Sequence, residues 1–127
     1  MEEIRILGIA PFESIRAAME RVAREEFPEV RFEAYTGDLE EGVKIAQRLV
    51  NENESYDVMI SRGGTAELLK QKLTMPVVEI TFSVYDILRA IKMAENYNSL
   101  YAIVGFPSIT GPAHTLCDLL RFNTDIV

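Results

Sequence analysis

The sequence predicts an α/β fold: a doubly wound parallel sheet, flavodoxin-like in its first lobe, with the start of a second α/β lobe behind it. Three observations predict it. Short apolar, β-branched runs alternate with stretches of helical periodicity along the 127 residues. The gaps between them are short, with no internal repeat, low-complexity tract or Pro/Gly-rich linker. The composition, 48% hydrophobic and 26% charged, is that of a chain able to bury a core. Successive βα units demand a parallel sheet, and right-handed crossovers then place helices on both faces.

Each element follows from its own pattern. "IRILGIA" (4–10) reads as a buried strand. Residues 12–27 place Ile15, Ala18, Met19, Val22 and Ala23 on one helical stripe, which Pro28 ends. "VRFEAY" (30–35) alternates as a strand does. Residues 38–52 form a second helix, with Asp38 at its N-cap and Glu41 at capping-box spacing. "YDVMIS" (56–61) is a third strand, 64–73 a third helix, and "PVVEI" (76–80) a fourth strand. Residues 83–97 turn Ile87, Leu88, Ile91 and Ala94 inward as a fourth helix. "LYAIVGF" (100–106) is a fifth strand, and 111–122 a fifth helix with Pro112 near its first turn. "TDIV" (124–127) reads as a sixth strand. The joint is expected at polar "ENYNS" (95–99), giving a first lobe over 1–97 and the beginning of a second over 98–127. A last strand with no helix behind it leaves Ile126 and Val127 uncovered. The expectation is a piece of a longer protein, with a dimer or strand exchange as the other ways to cover that surface.

Composition removes several functions. The net charge is −7 and no Lys/Arg cluster occurs, so the segment is not expected to grip nucleic acid itself. No apolar run approaches the roughly 18 residues of a membrane span, and "MEEIRILGIA" does not read as a signal peptide, so no membrane partner is expected. A lone Cys117 forms no internal disulfide, which fits a reducing cytoplasm. There is no GxxxxGK[ST], no GxGxxG after the first strand, no acidic pair there, no Cys/His cluster and no GxSxG. No cofactor, metal or catalytic pair is therefore expected.

In open parallel sheets ligands sit at the carboxyl ends of the strands. Those ends are Ala10-Pro11-Phe12, Tyr35-Thr36-Gly37, Ser61 through Thr65, Ile80 through Ser83, and Phe106-Pro107-Ser108. The third stands out. Gly63 and Gly64 allow a sharp turn and close backbone approach, the helix start favours an anion, Ser61 and Thr65 offer hydroxyls, and Arg62 offers a planar fork. The plain alternative is a turn whose glycines serve geometry alone, with Arg62 in solvent. Around this anion end the candidate ligand-binding set adds Pro11, Phe12, Thr36, Glu79, Ser83, Tyr85 and Ser108. Glu79 could pair with Arg62. Ser83 with Asp86 has N-cap to N3 spacing, which capping alone explains. Tyr35, Phe12 and Phe106 could select the ligand. His114, alone in a first helical turn, reads as a surface residue, and Cys117 as core beside Leu116 and Leu120.

Residues 56–91 carry "ISRGGTA", "PVVEI" and S-x-Y-D-I-L-R-A in that order, and "YAIVGFPSI" follows at 101–109. This block resembles the N-terminal sensor domain of the propionate catabolism activator family, bacterial transcription regulators of the sigma-54 (sigma-N) class. The resemblance implies two α/β lobes with a cleft between them and a small anionic metabolite as effector, 2-methylcitrate being the family's best known. It implies Ser61, Arg62, Gly63, Gly64 and Thr65 at the anion end. It also implies contacts with sigma-54 RNA polymerase and DNA only through an ATPase and a helix-turn-helix module absent from this chain; a homodimer is expected as a further partner. Two other readings use the same residues: a small α/β enzyme acting on an anionic metabolite, against which the missing acid–base pair counts, and a structural dimerisation domain.

Overall fold

A computed structural model describes residues 3–52, 55–97, 100–120 and 125–126. They form two compact units, Met1–Ile80 and Thr81–Val127.

The first unit holds β1 (Arg5–Ala10), α1 (Glu13–Glu26), β2 (Arg31–Thr36), α2 (Leu39–Glu52), β3 (Val58–Arg62), α3 (Gly63–Lys72) and β4 (Val77–Ile80). Its sheet runs in the order β2-β1-β3-β4, all parallel. The chain winds outward from β1 in both directions, which is the doubly wound, flavodoxin-like arrangement that the βα alternation predicts. The strand alternation decides which helix covers which face. Leu7, Ile9, Met59 and Val77 point to one side and pack with Val43 and Ala46 of α2 and Leu69 of α3. On the other side α1 lies over β1 and β2. Gly8 is required there, because a Cβ on it would stand 2.7 Å from Phe32 Cζ and 3.2 Å from Met19 Sδ.

That second face is only half covered. Within the first unit, the strip from β3 to β4 on this face carries no described helix. A groove of about 560 Å³ runs along it, walled by Ile15, Val22, Phe27, Ile60, Val78 and Ile80, with Arg62 contributing. Val78 and Phe27 are each 53% exposed there. At the amino ends of the strands the Arg5 guanidinium stacks 5.0 Å from the Tyr56 ring centroid. It lies 3.7 Å from Glu33, which accepts a 2.5 Å hydrogen bond from the Tyr56 hydroxyl. This clamp ties β1, β2 and the entry to β3.

The second unit holds α4 (Val84–Glu95), β5 (Ala102–Ile103), α5 (Pro107–Leu120) and β6 (Asp125–Ile126), with β5 and β6 parallel. Ile87 and Ile91 of α4 meet Ala113, Leu116 and Cys117 of α5 in its core. Burial pushes the Cys117 thiol pKa up. Leu120, read with it as core, is 49% exposed.

Three boundaries differ from the sequence reading. The units divide after Ile80, not after 97, because α4 packs on α5. β5 is two residues long where seven were expected, matching the two residues of β6 with which it pairs. α5 starts at Pro107, four residues before the "GP" taken as its start. The N–H groups of Ile109 and Thr110 both reach the Phe106 carbonyl, at 2.8 and 3.0 Å, so Pro107 takes the first-turn position that suits proline and Pro112 falls inside the helix. The expected ends at 121–122, Thr124 and Val127 lie outside the described residues. Among the described residues no helix is long and apolar enough to cross a membrane.

Candidate functional site

The carboxyl edge of the first sheet is assembled from three chain reversals. α1 begins at Phe12, which is extended (φ −153°, ψ 166°), lends no side-chain cap and is 54% exposed. α3 begins at Arg62, also extended and also without a side-chain cap bond. Gly63 then takes φ +60°, a conformation that strains any residue with a Cβ, and the space beside it is open. Without an N-cap side chain, the first-turn amides of a helix lack that internal acceptor, and the helix dipole adds positive potential there.

Between these starts lies a polar knot. Thr65, 1% exposed, accepts the Leu39 N–H (2.9 Å) and donates its hydroxyl proton to Asp38 Oδ1 (3.0 Å). One side chain of α3 therefore caps the first amide of α2. Leu39 pays for this with a left-handed φ of 45°. The helices approach closely because Gly42 has no side chain: a Cβ there would meet the Gly37 carbonyl oxygen at 2.6 Å and Thr65 Cγ2 at 2.9 Å. At the β2 corner Glu13 accepts from Arg16 Nε (2.8 Å) and from the Thr36 hydroxyl (2.9 Å). The Arg16 guanidinium, then Thr36, hold the Glu13 carboxyl down to about 2. Arg16 also reaches Glu20 at 2.7 Å.

The structure thus sorts the residues singled out in the sequence. Phe12, Pro11, Arg62, Gly63 and Gly64 stand at the edge. Ser61 does not serve a ligand as placed: it is fully buried, and its hydroxyl donates to the Ile9 carbonyl at 2.6 Å, stitching β3 to β1. Thr65 is spent in the knot, and the Thr36 hydroxyl on Glu13. Glu79 points to the α3 side, where Lys70 lies 3.6 Å away, whereas Arg62 walls the groove on the opposite face with Ile60 and Ile80; strand alternation separates the two. Tyr35, half-buried, packs against the core of the first unit.

Ser83, Tyr85 and Ser108 belong to the second unit. Ser83 caps α4, accepting from the Tyr85 N–H at 3.2 Å. Tyr85 is 66% exposed in the first turn, Ser108 half-buried in the first turn of α5, and Phe106 and His114 are exposed. A cavity of about 340 Å³ lies within this unit, lined by Phe82, Asp86, Ile87, Ile91, Tyr101 and Ile103. No group of three or more metal-ligating side chains occurs among the described residues. Sequence reasoning missed Asp38 and Glu13 as members of the edge. Asp38 was read as a helix cap only and Glu13 was not singled out, although a helix following a strand must start at that edge.

Residues 27–127 match the family described as "Propionate catabolism activator". The chain belongs to that family. The block at 56–91 lies inside the matched segment, and the family is one of regulatory sensor domains of transcription activators. Comparison with curated proteins gives no match. Among solved structures, the crystal structure of an NtrC family transcriptional regulator from Clostridium acetobutylicum aligns with a TM-score of 0.66 at 22% identity, covering 100% of this chain and 66% of that one. At that identity the likeness speaks for the fold, and this chain spans about two thirds of the length of the other.

Proposed function

We propose that this chain senses a small organic anion, a di- or tricarboxylate such as 2-methylcitrate, on behalf of a sigma-54-dependent transcription activator. The observation that carries the reading is the start of α3: an extended Arg62 with no side-chain cap, a left-handed Gly63, and open space beside it. Carboxylates suit such a start, since backbone amides and the helix dipole reward negative charge, and a guanidinium one residue earlier adds to the field. The two compact units are the lobes in this reading. An effector binding between them favours the closed arrangement, and that difference in affinity is what an attached ATPase would read. Contacts with sigma-54 polymerase and DNA belong to such attached modules, and a homodimer is the expected assembly.

Isothermal titration of the 127-residue chain with citrate, 2-methylcitrate and shorter dicarboxylates tests this. Binding is expected for at least one of them, with Arg62→Ala weakening it about tenfold or more, as loss of a charge-assisted contact does. No binding across the panel overturns the anion reading. Equal binding by both proteins removes Arg62 from the site.

A further inference from the structure

The half-covered face of the first unit is built on two rungs that β3 and β4 share. Strand alternation turns Ile60 and Arg62 of β3, and Val78 and Ile80 of β4, to that face. The register pairs Ile60 with Val78 and Arg62 with Ile80. The second of these rungs lies at the carboxyl edge, so Arg62 stands at that end of the groove. α1 runs back along the flank, supplying Ile15 and Val22, and its C-cap Phe27 stands toward the amino end. Among the described residues that line the groove, Arg62 is the one with a charge. The groove therefore has a cation at one end and hydrocarbon along the rest. Its volume, about 560 Å³, is that of a small-molecule site. Val22, Phe27 and Val78 are all exposed, an apolar opening of the kind that marks a binding surface.

We infer that this groove binds an aliphatic carboxylate, with its single acid group at Arg62 and its hydrocarbon chain along Ile60, Val78 and the flank of α1. Charge complementarity selects that class. A guanidinium meets a carboxylate in a planar, two-bonded pair, and a chain beyond it takes apolar surface out of water on both sides. Arg62 is half-buried, so its field is less screened than that of a fully exposed arginine. A di- or tricarboxylate fits the groove badly, because its further charges would lie against Ile60 and Val78 with nothing to solvate them. A neutral hydrocarbon forgoes the contact with Arg62. The inference shares Arg62 with the reading above and goes beyond it, since it needs neither the amides at the start of α3 nor the second unit.

The test is a nuclear magnetic resonance titration of the 127-residue chain, methyl-labelled at methionine, with butanoate, hexanoate, octanoate and decanoate kept below their micelle concentrations. Met19 lines the groove, whereas Met59 is buried in the core on the other face, so the two methyl signals separate specific binding from general disturbance. The expected result is a saturable shift of Met19 without one of Met59, with half-saturation falling about twofold to fourfold per added methylene. Arg62→Gln should weaken octanoate about tenfold and leave octanol unchanged. Val78→Asp, on the exposed floor, should weaken both, and stands in if the first variant does not fold. No Met19 shift with any acid, equal shifts of Met19 and Met59, affinity independent of chain length, or parent-like octanoate binding by the variants overturns the inference. Met19 shifts that follow dilution of the protein alone, with no response to the acids, assign the face to a second copy and overturn it too. Octanoate binding with no response to citrate or 2-methylcitrate sinks the polycarboxylate reading and leaves this one standing; the reverse sinks this one alone.

Discussion

Replacing Thr65 by valine tests whether the contact between the α2 and α3 starts holds the first unit together. Valine has nearly the volume of threonine, so the change removes hydrogen bonding and little else. Thr65 is 1% exposed and makes two bonds, one from the Leu39 N–H and one to the Asp38 carboxylate. Asp38 can turn to water; the Leu39 amide, in the part-buried interior of the knot, cannot do so freely. Leaving that donor unpaired costs about 1–3 kcal/mol, and losing a bond to a carboxylate adds about 1 kcal/mol. The left-handed Leu39, held in place by the lost bond, then relaxes and returns part of this. The expected net loss is about 2 kcal/mol. For a unit of this size that corresponds to a fall of roughly 8–16 °C in melting temperature. Thr65→Ser keeps both hydrogen bonds and gives up one methyl, at about 1 kcal/mol. Thermal unfolding followed by circular dichroism should therefore rank parent, serine and valine in that order. A valine variant within about 0.5 kcal/mol of the parent, or more stable than serine, would refute the argument that the hydroxyl is what matters.

Three further outcomes follow from the same geometry. Glu13, with its carboxyl held near 2 instead of the ordinary 4.5, stabilises the folded chain fully above pH 4.5 and loses that contribution as pH falls toward 2; Glu13→Gln should flatten the acid limb of a stability–pH curve over that window. Tyr56 is pushed up to about 12, by burial first and then by its bond to Glu33. Its contribution is complete below pH 10 and lost as pH rises toward 12, so Tyr56→Phe should cost about 1 kcal/mol at neutral pH and remove the alkaline decline in chemical denaturation. Gly42→Ala drives a methyl into the Gly37 carbonyl and Thr65, and should destabilise by about 2–3 kcal/mol while Gly63→Ala, facing open space, loses only about 1 kcal/mol to its left-handed φ, both measured by urea titration.

Much of the first unit was legible in the sequence because periodicity and turn chemistry agreed. Leu7 and Ile9, Met59 and Ser61 alternate as a buried sheet requires, and the stripe from Ile15 to Ala23 left one choice of helix face. The second unit was less legible. "FPSITGP" offers two prolines, and a helix start can be argued at either; the Phe106 carbonyl decides for the first. The joint at Ile80 was hidden because polarity at 95–99 imitates a linker, whereas the real division follows the packing of α4. At the site, residue type pointed to the correct edge but not to side-chain direction. Arg62 and Glu79 are close in the strand register, yet alternation sends them to opposite faces, and the structure shows that Ser61 and Thr65 commit their hydroxyls to the protein itself.

β1, which precedes the other described strands in the chain, is an interior strand with partners on both sides. One of them, β3, lies far along the chain, with Ser61 bonding to Ile9 across 52 residues. At a translation rate of about 5–20 residues per second, Leu7 and Ile9 leave the ribosome several seconds before the strand that completes their ladder. During that interval the nascent polypeptide displays an apolar strand with one edge open. Slowing of translation within α2 would lengthen the exposure, and holdase chaperones would find a target in β1.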